Sequence, residues 1–355
     1  MGVFRWEGFI LSKGFTEGTE VLTNVGWVDI KNIVAGVDVL TLNTKDGIIE
    51  KDKVIDVESG LGDLHKLHHK TFEVTCGKEQ SWYGWKRCWA KKGLTRPKEY
   101  LHFSVPKSTQ EFNIICSGIY EGGDNEVINK NDGNFLGWLL SDGYYKWSKD
   151  TRNTSSSFGK LRGINGLIAQ AQHKFYKEVE SSIEGVNIPY VVDVDNTGIK
   201  TSPVNKYRFK CKPFRDYLDN KLNDRRDKHE VDWVKNILSW KRDVIDSYLY
   251  SFWLADGDTK GHTYCGSKMV ITQNIGNISD SVQLAMFFKG RKVSCSYKDS
   301  SHKCETLRML KNGHVTLQET SYDKVLSNTK LYSVNTNNNT YIIRQGKVIT
   351  VTSCL

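Results

Sequence analysis

The sequence predicts a multi-domain chain in which an all-β module is interrupted by an α+β domain of two pseudo-symmetric halves. Three observations predict it. Two apolar stretches, residues 134 to 146 (NFLGWLLSDGYYK) and 248 to 260 (YLYSFWLADGDTK), read as buried helices, and both end in Asp-Gly. After each, strands and a helix recur in much the same order, so the repeat extends beyond the motif. Towards both ends of the chain, short segments rich in Val, Ile and Thr are broken by Gly, Asn and Asp, the pattern of an all-β unit.

Glycine after the acid is expected to take the left-handed conformation that stops a helix, lifting Asp142 and Asp256 out of the two C-terminal ends. A helix C-terminus is the negative pole of the dipole and repels an anion, so a carboxylate there needs another reason. Gly137 and Ser251 stand at matching heights in the two stretches, where small residues let two backbones approach. Paired in this way, the helices would bring the acids together, and like charges held close need a cation. Mg²⁺, with Mn²⁺ as a substitute, suits such a site because it prefers oxygen ligands and keeps water and phosphate oxygens in its shell. Asp142 and Asp256, with Gly143 and Gly257 beside them, are therefore the expected metal site, arranged for phosphodiester hydrolysis.

The stretches FLGWLLSDG and LYSFWLADG resemble the LAGLIDADG motif of homing endonucleases. Two copies in one chain suit a pseudo-dimer, so a monomer is expected. The resemblance implies a site-specific DNA endonuclease that makes a staggered double-strand break with short 3′ overhangs in a long, non-palindromic double-stranded target. Residues 129–311 would form this domain, with halves at about 134–225 and 226–311. Each half would supply a curved sheet, and the resulting saddle of strands would enter the major groove, which admits two-stranded β-structure. The resemblance also implies an assisting lysine: Lys228, in DRRDKHEVDW, is the first candidate and Lys311 the second. Arg152, Lys160, Arg162, Lys206, Arg208, Lys210, Lys268, Lys298, Lys303 and Arg308 lie on or beside the expected saddle strands and are candidate DNA contacts.

Composition agrees with a polyanionic partner: the 355 residues carry a formal net charge of +9, and phosphate neutralisation supplies most non-specific DNA affinity. The eight cysteines form no C-x-x-C pair, which argues against a zinc site or a disulfide framework and for reduced intracellular thiols. No secretory signal or bilayer-spanning run is apparent. The expectation is a soluble intracellular protein, cytoplasmic or nuclear, with no membrane partner.

Residues 1–13 read as an upstream flank. From Gly14, GFTEGTEVLTNVGW resembles the opening block of inteins, the Hint module, whose members start with a nucleophilic cysteine; Gly14 occupies that place. This resemblance implies a horseshoe-like all-β module over 14–128, closed by 312–355. In TFEVTCGKEQ, Thr75 fits the family's threonine, and its histidine position falls on Gln80 or Lys78; His65, His68 and His69 lie nearby and read equally well as exposed turn residues. Residues 82–107 interleave Trp and Tyr with Lys86, Arg87, Lys91, Lys92 and Arg96, resembling a DNA-recognition insertion. Residues 121–133 read as a polar linker into the first motif helix.

The closing run NNTYIIRQGKVITVTSCL resembles the final intein blocks, with Ser353 in place of the terminal asparagine, Cys354 at the downstream nucleophile and Thr352 where a histidine is usual. Splicing needs an acyl shift at the first residue and cyclisation of a side-chain amide at the last. Gly14 has no nucleophile and Ser353 no amide, so the chain is expected not to splice. Two alternatives stay open: an intein trapped as an unspliced precursor, and a DNA-binding-only derivative of a nuclease.

Overall fold

The computed structural model describes residues 10–86, 100–104, 112–149, 161–196, 202–259, 263–264, 269–297, 303–317 and 322–355. It is mostly β, in several sheets, with a few helices. Contacts divide it into two compact units, Met1–Glu121 with Met286–Cys295 and Arg308–Leu355, and Gly122–Ala285 with Ser296–Leu307. The sequence places the boundaries at 128/129 and 311/312; the contacts put the first at 121/122 and assign 286–295 to the first unit.

The first unit opens with β1 (Glu20–Thr23), β2 (Gly26–Asp29), β3 (Asp38–Leu42), β4 (Ile48–His69), β5 (Phe72–Gly77), β6 (Ser81–Lys86), β7 (Tyr100–Ser104), β8 (Phe112–Ile115) and β9 (Ile119–Tyr120). The β1–β2 turn holds because Thr23 Oγ1 donates to the Gly26 carbonyl at 2.8 Å while Gly26 takes a φ of +116°. β4 runs on through His69, so His65, His68 and His69 lie on a strand rather than in a turn, and His65 is buried.

The second unit begins with α1 (Lys130–Leu140). Asn129 caps it through N–H groups of Asn131 and Asp132, and the Asp132 carboxylate accepts from the Asn129 N–H at 2.8 Å. That capping box places the end of the expected linker, 130–133, inside the helix. β10 (Gly143–Lys149), β11 (Leu161–Ala171), α2 (Tyr176–Gly185), β12 (Tyr190–Asp195) and β13 (Val204–Phe209) follow, with the strands in the order β10-β11-β13-β12. Then come α3 (Cys211–Leu222), α4 (Trp233–Ser239) and α5 (Arg242–Asp256). After α5 the chain forms β14 (Val270–Asn274), α6 (Asn277–Phe287), β15 (Val293–Tyr297) and β16 (Cys304–Met309), whose strands are ordered β14-β16-β15. Between 260 and 268 only 263–264 are described, and they belong to no strand or helix.

Both small sheets have one packed face. On β13, Asn205, Tyr207 and Phe209 are buried while Lys206 and Arg208 alternate with them on the other side. Gly166 on β11 is required by α3, since a Cβ there would lie 2.2 Å from the Phe214 ring.

The first unit closes with β17 (His314–Leu317), β18 (Tyr322–Thr336), β19 (Thr340–Gln345) and β20 (Val348–Ser353). β19 pairs with β1, β20 with β6, and β18 runs along β4, so the two ends of the sequence share one thirteen-stranded sheet. Phe15, Phe72, Trp82 and Tyr341 lie at its core, with Phe15 edge-on to Trp82 at 6.1 Å. Side chains of this size each contribute about 1.5–3 kcal/mol when buried.

Candidate active site

α1 and α5 pack along a seam of small residues. A Cβ on Gly133 would lie 2.5 Å from the Val244 carbonyl oxygen, and one on Gly137 would lie 2.5 Å from that of Tyr248 and 2.7 Å from Ser251 Cβ. Backbones this close exclude any larger side chain at 133 and 137. The Ser251 hydroxyl bonds Asn134 Oδ1 across the seam.

The two helices end differently. α1 stops at Leu140, where Ser141 Oγ donates back to the Gly137 carbonyl at 2.7 Å. α5 continues through Asp256, and the Gly257 N–H donates to the Trp253 carbonyl at 2.9 Å. Neither Gly143 nor Gly257 is left-handed, contrary to the sequence expectation; Gly257 is extended at φ −87°. They are glycines because a Cβ would strike the preceding helical turn, at 2.4 Å from the Leu139 carbonyl oxygen for Gly143 and 2.2 Å from that of Trp253 for Gly257.

Each acid is held by a glutamine from a strand later in its own half. Gln170 Nε2 on β11 donates to Asp142 Oδ2 at 3.0 Å, and Gln273 Nε2 on β14 donates to Asp256 Oδ2 at 2.9 Å. Each glutamine Oε1 accepts from the next backbone N–H, of Ala171 at 2.9 Å and Asn274 at 2.7 Å. The same clamp recurs in both halves.

Electrostatically the acids form a pair. Burial, followed by repulsion from Asp142, raises the Asp256 pKa to about 7, and burial raises that of Asp142. Lys228 lies beside them: 7% exposed, it donates through Nζ to the Gly143 carbonyl at 2.6 Å and the Leu140 carbonyl at 3.1 Å. A cation at these orphan helix-end carbonyls offsets the negative pole. Burial lowers the Lys228 pKa to about 8, against the attraction of Asp256 and Asp142. Lys174, just after β11, also acts on both acids.

The arrangement suits a hard divalent cation. Two half-buried carboxylates repel each other, and partial burial, the largest influence on each, raises both pKa values against the pull of the two lysines. Among the described residues no group of three or more His, Cys, Asp or Glu could hold a metal, so the ion would depend on this pair plus water and substrate oxygens, as Mg²⁺ characteristically does. The Gly143 carbonyl, expected near the metal, is already engaged by Lys228.

The other expected residues fall in several places. Lys311 is exposed, and Lys228 and Lys174 are lysines whose charge acts on the acids. Lys206 pairs with Asp195 at 2.6 Å and Arg208 with Asp193, so two expected DNA contacts have acidic partners on β12. Lys210, Lys303 and Arg308 are exposed. Arg87, Lys91, Lys92, Arg96, Arg152, Lys160, Lys268 and Lys298 lie outside the described residues, as do the side chains of Lys86 and Arg162.

In the first unit, the expected junction residues meet at Gln80. Its Oε1 accepts from the Gly14 N–H at 2.7 Å, and its Nε2 donates to the Ser353 carbonyl at 2.9 Å. Gly14 has a φ of +112°, and a Cβ on it would lie 2.4 Å from the Tyr332 carbonyl oxygen, so a cysteine does not fit there unchanged. Thr75 faces elsewhere, giving its hydroxyl and N–H to Gln345 Oε1 at 3.0 and 2.6 Å. Cys354 is buried, its thiol 3.7 Å from Thr336 Oγ1. His102, which the sequence reading passed over, contacts Ser353.

No family model matches the sequence, and no curated protein does. The structural neighbours include a homing endonuclease and an intein-like domain. The first is the crystal structure of I-DmoI in complex with DNA and Mn, with 14% identity over 51% of this chain and 89% of that one, at a TM-score of 0.35. The second is the solution structure of a bacterial intein-like domain from Clostridium thermocellum, with 20% identity over 27% of this chain and 80% of that one, at a TM-score of 0.20. Full-length DUF199/WhiA from Thermatoga maritima is similar at 10% identity over 56% of this chain and 51% of that one, with a TM-score of 0.30. Likenesses this partial leave the functional reading to the chain's own residues. No helix among the described residues is long and apolar enough to cross a membrane.

Proposed function

We propose that the chain is a site-specific DNA endonuclease of the LAGLIDADG kind, a monomer that makes a staggered double-strand break in a long duplex by Mg²⁺-dependent phosphodiester hydrolysis. In this reading 129–311 is the nuclease and 14–128 with 312–355 a Hint-like module that no longer splices. The observation that carries it is the pair of half-buried acids, Asp142 and Asp256, each clamped by its own glutamine at the foot of two helices in close backbone contact.

Bound between the carboxylates, Mg²⁺ would supply Lewis-acid activation of water and neutralise charge at the scissile phosphate. The chain's own part is positional. Gln170 and Gln273 each engage one carboxylate oxygen, Oδ2, of their acid. Lys228 holds the end of α1 through the Leu140 and Gly143 carbonyls and places a positive charge beside the pair, where negative charge develops during phosphoryl transfer. Exposed Lys210, Lys303 and Arg308 are available to neutralise backbone phosphates.

The test is cleavage of supercoiled plasmids carrying a randomised or host-genome library in the presence of Mg²⁺. Linear product from the unaltered chain, reduced about 10³-fold or more by Asp142→Asn or Asp256→Asn, is the expected outcome. A mobility shift without nicking would favour a DNA-binding-only derivative and overturn the nuclease.

A further inference from the structure

Ser353 has a chemical setting that the nuclease reading does not use. It closes β20 with 1% of its surface exposed, and its Oγ lies 2.5 Å from Nδ1 of His102 on β7. The Leu355 N–H donates to the same oxygen at 3.1 Å, and with the ring proton on Nε2 the hydroxyl proton is given to His102 Nδ1. Burial lowers the His102 pKa and keeps the ring neutral, able to accept that proton. An adjacent base of this kind is what turns a serine hydroxyl into a nucleophile.

So buried a hydroxyl cannot meet an external acyl donor; the acyl group within its reach is the carbonyl of the residue before it. That peptide bond is pinned on both sides. Gln80 Nε2 donates to Thr352 Oγ1 at 2.8 Å and to the Ser353 carbonyl at 2.9 Å, while Thr352 Oγ1 donates to the Ser81 carbonyl at 3.1 Å.

We propose that Ser353, with His102 as its base, carries out an N-to-O acyl shift on the Thr352–Ser353 peptide bond. Oγ gives its proton to His102 Nδ1 and bonds to the Thr352 carbonyl carbon. The carbon–nitrogen bond then breaks as His102 delivers that proton to the Ser353 nitrogen, giving an ester of unchanged mass. Water can hydrolyse the ester to a Thr352 carboxylate and a piece beginning at Ser353. This differs from the chemistry expected of an asparagine at this position, since the bond attacked precedes the residue and no side-chain amide is consumed. It rests on first-unit geometry alone and is independent of the nuclease reading.

The experiment incubates the whole folded chain with hydroxylamine, which traps esters, and follows intact mass. A Thr352 hydroxamate and a fragment starting at Ser353 are expected from the unaltered chain, about 10²-fold slower from His102→Gln and not at all from Ser353→Ala. Ser353→Cys should retain release, because a thiol can replace the hydroxyl as nucleophile. Unfolding the unaltered chain in guanidinium chloride beforehand should abolish it. A folded, unaltered chain that stays whole in hydroxylamine overturns the proposal, as does equal release from the unfolded chain or from Ser353→Ala.

Discussion

The two halves of the paired-helix site share their chemistry and differ in scaffolding. In both, a carboxylate at the foot of a helix accepts from a strand glutamine whose own oxygen is fixed by the next N–H. Around Asp142, however, the helix ends two residues early, and Lys228 bonds the buried carbonyls of Leu140 and Gly143. Around Asp256 the helix runs to the acid itself and closes on the Gly257 N–H. Repeated chemistry on unlike supports indicates that the acid and glutamine contact is the functional requirement, with each half solving the helix-end problem in its own way.

The largest expected effect separates the helices' contributions to their seam. Helix propensity alone would make Gly137→Ala stabilising by about 1 kcal/mol. The 2.5 Å approach to the Tyr248 carbonyl reverses the sign, because a backbone oxygen in a packed helix cannot swing aside. Gly137→Ala should therefore destabilise by about 3 kcal/mol, as overpacking does. Ser251→Ala keeps its Cβ and loses one side-chain hydrogen bond, for about 1 kcal/mol. Denaturant unfolding of the two variants measures this ratio; equal losses would mean the seam is not limited by the glycine.

A smaller effect sharpens the electrostatic side of the comparison. The folded-state pKa of Asp256, raised to about 7 from an ordinary value near 4, means that the native protein binds the extra proton between those limits. Stability without divalent cations should consequently fall as pH rises from about 4 to 7, by up to about 1.4 kcal/mol per pH unit. Asp256→Asn removes that slope and should melt above the unaltered chain at pH 8 but alongside it at pH 4. Millimolar Mg²⁺ should raise the melting temperature of the unaltered chain more at pH 8 than at pH 5, since protons and cation compete for the same oxygens. A Mg²⁺ response independent of pH, or unchanged in Asp142→Asn, would place the cation elsewhere.

The acids and their helices are legible in the sequence because an apolar run ending in Asp-Gly is a local pattern and occurs twice. Reasons that depend on contact are not. Gly143 and Gly257 look like left-handed stops in sequence, yet their purpose is to clear the carbonyls of Leu139 and Trp253. Gly133 reads as linker because the Asn129 and Asp132 capping box lies just ahead of the apolar run. α3 was open to detection: Pro213 in a first turn and Phe214, Tyr217 and Leu218 at helical spacing are its signal. Gln170, Gln273 and His102 carry no such signal, since a single polar residue on a strand acquires its partner only through tertiary pairing.

The finest distinction concerns the glutamines themselves. Gln170 is 4% exposed and spans from Asp142 to the Ala171 N–H, whereas Gln273 is half-buried on β14 and spans from Asp256 to the Asn274 N–H. Removing either leaves a carboxylate oxygen without its donor, a loss of about 1–3 kcal/mol when the group stays buried. The less exposed member should lose more, because water can replace Gln273 more readily than Gln170. Gln170→Ala is thus expected to slow Mg²⁺-dependent cleavage about tenfold and Gln273→Ala about threefold, with both effects in turnover rather than in DNA affinity. Affinity losses with turnover unchanged would show that the glutamines contact DNA instead of orienting the acids, and equal losses would show that burial does not distinguish the two clamps.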